Sequence, residues 1–100
     1  MVLNNMIDDR RLRPRYDLAV PIDVDGVRGT TRNVSMNGVI FNSPVQMEIG
    51  REIRYVVFLR AGNCHLHCRG RVIRQRATFG GGYDTGASID SFAMLFEEPT

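Results

Sequence analysis

The fold class that this 100-residue sequence predicts is all-β: a six-stranded antiparallel barrel with a short C-terminal helix. Three observations lead there. Apolar and polar residues alternate with period two over several stretches, as half-buried strands do. Turn residues recur at intervals of roughly ten positions, the rhythm of sandwiches and barrels. A chain this short has one core, and closing the sheet removes the exposed edges a small open sheet would carry.

The elements follow in order. Residues 1–15 show no sustained period and end in Arg13-Pro14-Arg15, where proline holds its predecessor extended; they read as an arm, and residues 16–100 as the barrel domain. Tyr16, Leu18, Val20, Ile22 and Val24 alternate with polar or small neighbours, giving a first strand with Pro21 at an edge or bulge. Asp25-Gly26 is a hairpin turn. The second strand runs from Val27 to about Val34 and ends in Ser35-Met36-Asn37-Gly38. A third, short strand covers Gly38 to Phe41 and is broken by Asn42-Ser43-Pro44. Ile53, Tyr55, Val57 and Leu59 mark the fourth.

Cys64 to Gln75 forms the fifth strand, with Cys64, Leu66, Cys68 and Val72 on one face and His65, His67, Arg69 and Arg71 on the other. After the Gly80-Gly81-Gly82 loop, Tyr83 to Ile89 is the sixth. Asp90-Ser91 reads as a cap for a short apolar helix holding Phe92, Met94, Leu95 and Phe96, placed to plug an open end or seam of the sheet. These positions, with Tyr16, Tyr55 and most phenylalanines, are expected in the core.

Composition narrows the function classes. The hydrophobic share of 43% suits a globular protein. No apolar run approaches the roughly 20 residues of a spanning helix, and residues 1–9 lack signal-peptide character, so a cytoplasmic protein is expected. All thirteen basic residues are arginine, yet the net charge is only +2, too little for a nucleic-acid tail. Two cysteines four apart in a strand lie about 13 Å from each other, beyond disulfide reach. His65 and His67 project opposite to the cysteines, so the four do not converge on a metal. The same opposition argues against a Cys–His nucleophile, and the triple glycine lacks the helix of a phosphate loop. No enzyme activity, metal or cofactor is expected.

Two short motifs remain. Arg11 and Arg15 stand four apart before the first strand. A guanidinium can fork onto the N7 and O6 of guanine or onto a phosphate, and can lie flat on a purine. Asn33, Ser35 and Gly38 lie in and after the second strand: an amide oxygen for N–H donors, a hydroxyl of either sense, and a glycine for close approach or positive φ. Each motif alone is an ordinary basic segment or polar turn.

Together, in this order and strand context, they resemble the PilZ domain family, the bacterial receptors for cyclic di-GMP, whose pattern is Arg-x-x-x-Arg before the first strand and Asp/Asn-x-Ser-x-x-Gly after the second. The likeness runs from Arg10 to Phe96. It implies a six-stranded barrel with a C-terminal helix, on which the arginine arm and the Asn33 turn clamp a guanine–phosphate half of the ligand. It also implies one of two roles for Arg10, directly before the first motif: holding a second, stacked cyclic di-GMP, or only pairing with Asp8 or Asp9. Asn33 stands where many members have Asp, a weaker acceptor for the guanine N–H edge. The expected ligand-binding residues are therefore Arg10, Arg11, Arg15, Asn33, Ser35 and Gly38, in a sensor that signals by ordering its arm and engages a downstream protein partner that the sequence does not identify. Two alternatives stay open: a degenerate PilZ-like interaction module without ligand, and a small basic barrel that binds single-stranded nucleic acid.

Overall fold

The computed structural model describes residues 15–59 and 63–96, with eight strands and no helix among them. These are β1 (Arg15–Tyr16), β2 (Pro21–Val24), β3 (Val27–Ser35), β4 (Gly38–Ser43), β5 (Glu52–Leu59), β6 (Cys64–Ala77), β7 (Tyr83–Ser88) and β8 (Ser91–Phe96). All pairings are antiparallel, in the order β1-β3-β2-β5-β6-β7-β4. β4 pairs back onto β3, so six strands close into a barrel. β1 prolongs β2 along β3, and β8 is an added strand on β6.

The alternation in the sequence becomes the inside and outside of this barrel. Ile22, Val24, Val39, Phe41, Ile53, Tyr55, Val57, Leu66, Cys68 and Val72 fill the interior. Asp25 and Gly26 both adopt positive φ and turn β2 into β3, as expected of an Asp-Gly hairpin. Pro21 opens β2 one residue before the β5 ladder begins at Ile22, where no inter-strand donor is required. Between β1 and β2 the ladder is patched by a side chain. Buried Thr31 accepts from the Val20 amide at 2.9 Å and donates to the Leu18 carbonyl, satisfying backbone groups that the irregular stretch leaves unpaired. β4 continues through Asn42 and Ser43, past the expected break, because both pair with β7.

The expected C-terminal helix is corrected: residues 91–96 form β8. The Asp90 amide donates to the Arg69 carbonyl at 2.8 Å, continuing the ladder along β6, and its carboxylate accepts from Ser88 Oγ behind it rather than capping amides ahead. A six-residue apolar segment gains little as an isolated helix, whose nucleation is costly. β6 is fourteen residues long, and β7 covers only Val72 to Ala77, so the edge from Cys64 to Arg69 is open for a strand to pair. The expected burial of the aromatics is corrected with it. Tyr55 and Phe41 are core and Phe58 is half-buried, whereas Tyr16, Phe79, Phe92 and Phe96 are exposed, as are Met94 and Leu95. Phe58 lies on the outer wall between the His65 ring, edge-on with centroids 4.8 Å apart, and the Arg28 guanidinium, 5.2 Å from its centroid.

Tyr55 and Cys68 are two neighbouring acids within the core. The Tyr55 hydroxyl donates to the Ser88 carbonyl at 2.8 Å, and burial, helped by Cys68, drives its pKa far above the usual phenol value. Burial likewise pushes the Cys68 thiol up to about 11, against a smaller opposing effect of its hydrogen bond with Tyr55. Both groups are acids that the folded state keeps protonated. Their stabilisation is complete below the unfolded-state values, near 9.0 for the thiol and 10.0 for the phenol, and is lost as pH rises through the folded ones. Thermal melts should therefore show a melting temperature that declines from about pH 9 upward, with a shallower decline in Cys68→Ala.

Candidate functional site

The site lies on the outer wall, and two β-bulges build it. Thr31 faces the interior, so strict alternation would turn Asn33 inward too. The β3–β4 register shifts between Thr31 and Asn33, with Arg32 as the extra residue. Parity reverses, Val34 packs against the core and Asn33 faces outward. On β6 the same device operates between Val72 and Arg74: Ile73 is the extra residue, and Arg74, which alternation would bury beside Val72, emerges on the outer wall.

The reversed residues flank one cross-strand row. Asn33 is opposite Ile40, Ile40 opposite Gly86, and Gly86 opposite Arg74. The Arg74 side chain lies across Gly86, where an added Cβ would come 3.1 Å from its Cγ and Nε. Over this row opens a cavity of about 430 Å³, whose rim includes Asp17, Arg32 and Arg76. The Asn33 amide nitrogen donates to Asp17 Oδ1 at 3.2 Å, which leaves its oxygen available as an acceptor beside the carboxylate. Arg32 pairs with Asp84, which also accepts from Asn42 Nδ2 at 3.4 Å, so this arginine is partly neutralised. Arg74 has no ion-pair partner among the described residues. The shelf thus offers a flat floor of Ile40 and Gly86, acceptors for an N–H edge at one side, and guanidinium groups for an anion at the other.

Of the residues expected from the motifs, three are described in full and one by its backbone. Arg15 is directly opposite Ser35 in the β1–β3 ladder, so the chain reaches the barrel beside the second motif. Asn33 is on the shelf. Ser35 closes its own turn: its hydroxyl accepts from the Asn37 amide at 3.2 Å and donates to the Gly38 carbonyl at 3.4 Å. Gly38 has no positive φ; it is needed because a Cβ there would meet the Ala87 carbonyl oxygen at 2.4 Å. Beside the turn, Ser35, Asn37, Ile73 and Arg74 line a smaller recess of about 130 Å³. Arg10 and Arg11 lie outside the described residues. Asp17 and Arg74 were missed by sequence reasoning. The adjacent apolar pair Val72-Ile73 was the one available sign that alternation breaks before Arg74.

A closed antiparallel barrel whose polar chemistry sits on its outer wall, next to β1, is a small all-β module with an open surface site rather than an enclosed pocket. The PilZ domain family model matches residues 8–90, most of the sequence, and the chain belongs to this family. PilZ domains are regulatory binding modules. Among solved structures, the chain is similar to the Bacillus subtilis inhibitor of motility, MotI/DgrA, with a TM-score of 0.76 at 15% identity. That match covers 85% of this chain and 44% of the other, so the chain spans less than half the length of that protein. No curated protein matches it in sequence. β8, residues 91–96, falls beyond the family match. No helix of the described residues is long and apolar enough to cross a membrane.

Proposed function

We propose that this chain is a cyclic di-GMP sensor in which the ligand orders the arginine arm, with Arg10, Arg11 and Arg15, over the outer shelf of the barrel. The observation that carries the reading is the register that sets Arg15 opposite Ser35, two residues from Asn33 on the same strand. The two arginine-motif positions and the polar turn then act on one ligand. A guanine ring rests on Ile40 and Gly86 and presents its N–H edge to the Asn33 amide oxygen and the Asp17 carboxylate. Asp17 supplies the anionic acceptor that Asn33 lacks as a side chain. Arg74 takes a phosphate or the N7 and O6 edge.

Fixing the arm costs roughly 1–2 kcal/mol per residue, which charge-assisted contacts and stacking must offset. The ordered arm is then the surface that a downstream protein reads. In the cytoplasm this makes the chain a switch with no chemistry of its own. Arg10 binds a second, stacked ligand. Isothermal titration calorimetry with cyclic di-GMP, against cyclic di-AMP and GTP, tests both parts: two ligands per chain are expected. One ligand would remove the role of Arg10, and no heat would remove the sensor reading itself. Arg74→Ala should weaken cyclic di-GMP roughly tenfold, the scale of one charged hydrogen bond, without lowering the melting temperature.

A further inference from the structure

We infer that β8 is a self-association strand, which pairs antiparallel with β8 of a second copy of this chain. The inference rests on an edge, a face and a symmetry. β4, which covers the far edge of β7, begins at Gly38 opposite Ser88, so the covering ends where β8 starts. Among the described residues β8 pairs with β6 and with no other strand. Its other edge is thus a row of backbone donors and acceptors that no strand of the described residues covers.

Natural edge strands are usually protected by charge, proline, a bulge or a cover. The β8 sequence, Ser-Phe-Ala-Met-Leu-Phe, has no charge and no proline, and its ladder on β6 is unbroken from Ser91 to Phe96. Its side chains are equally unprotected. Phe92, Met94, Leu95 and Phe96 are 46–66% exposed.

The register on β6 sorts these side chains by face. Phe92, Met94 and Phe96 stand opposite Cys68, Leu66 and Cys64, on the interior side. There, Phe92 and Met94 join Tyr16, Leu18, Met36 and Leu59 around an apolar mouth of about 450 Å³ at the end of the barrel. Tyr16, Met36, Phe92, Met94 and Phe96 are each about half exposed or more, which for large side chains leaves on the order of 500 Å² per chain, toward the ≈ 800 Å² that each partner gives to a standard interface.

The second copy is the occupant that fits. Two antiparallel strands related by a twofold axis normal to the sheet place residues of the same parity opposite each other. Centred on Met94, this sets Met94 against Met94 and Phe92 against Phe96, so interior-side apolar residues meet their like across the axis. An uncharged strand meets no repulsion from its own copy, and both edges gain a ladder that each lacks.

Sedimentation equilibrium on the full chain tests this. The wild type should show a concentration-dependent dimer, and Met94→Arg, which sets two charges against each other on the axis, should weaken it at least tenfold while melting as the wild type does. Met94→Cys should link two chains under mild oxidation, whereas Thr78→Cys on a remote loop should not; this arm holds even if Met94→Arg disturbs folding. A monomeric wild type overturns the proposal. So does a dimer that Met94→Arg leaves intact, or one that Met94→Cys fails to link. A chain that dimerises only once residues 1–14 are removed also overturns it, because the edge would then belong to that segment.

Discussion

Arg15→Ala is expected to lose cyclic di-GMP binding by about a hundredfold or more, with the barrel still folded. Truncating one side of a hydrogen-bonded charge pair costs roughly 2–5 kcal/mol, and 2.7 kcal/mol is about a hundredfold. Arg15 bears this cost because its backbone pairs with Ser35 in the β1–β3 ladder, which sets it beside the second motif. β1 is a two-residue strand at the sheet margin, and neither of its residues belongs to the core cluster. Calorimetric titration of the variant, with a thermal melt on the same sample, checks both halves. Normal binding by Arg15→Ala would sink the clamp, and lost binding together with a lowered melting temperature would point to a structural role instead.

Gly70→Ala should have the largest effect on stability. A Cβ at Gly70 would stand 1.7 Å from the Ser88 carbonyl oxygen and 2.7 Å from its carbon, so backbone has to move. Ser88 is poorly placed to move. Its carbonyl accepts from Tyr55 OH, its Oγ accepts from the Arg71 amide at 3.0 Å, and the same Oγ donates to Asp90. The cost should exceed about 3 kcal/mol, at the upper end for an overpacked core, and lower the melting temperature of a domain this size by about 15 °C. Gly80→Ala, where an added Cβ meets nothing within 4 Å and φ is not positive, should leave the melting temperature nearly unchanged. A melting temperature for Gly70→Ala as high as that of Gly80→Ala would show that close packing at Ser88 does not require glycine at position 70.

Much of the barrel was legible because its physics is local. Alternation from Cys64 to Val72 reports a strand with one wet face whatever its neighbours, and Asp25-Gly26 needs only its own backbone preferences to turn. The arginine pair and the Asn33-to-Gly38 pattern were legible as motifs, and of these the β1–β3 register sets Arg15 opposite Ser35. The C-terminal segment was misread because six apolar residues carry too little pattern to separate strand from helix. Its state depends on the open edge of β6, which is not visible in residues 91–96.

Along the chain alone, the predominantly β class, most of the barrel's interior residues and the family resemblance could be read. Those properties follow from hydrophobic period, turn chemistry and motif order, all of which act along the chain. Only the tertiary structure decided which way the site residues face. The bulges at Arg32 and Ile73 reverse parity, and a bulge exists only where a strand is matched against its neighbour. By that reversal Asn33 and Arg74, forty-one positions apart, stand on one outer row with Gly86 between them. The same long-range matching made β8 a strand and, among the described residues, left its other edge without a strand partner.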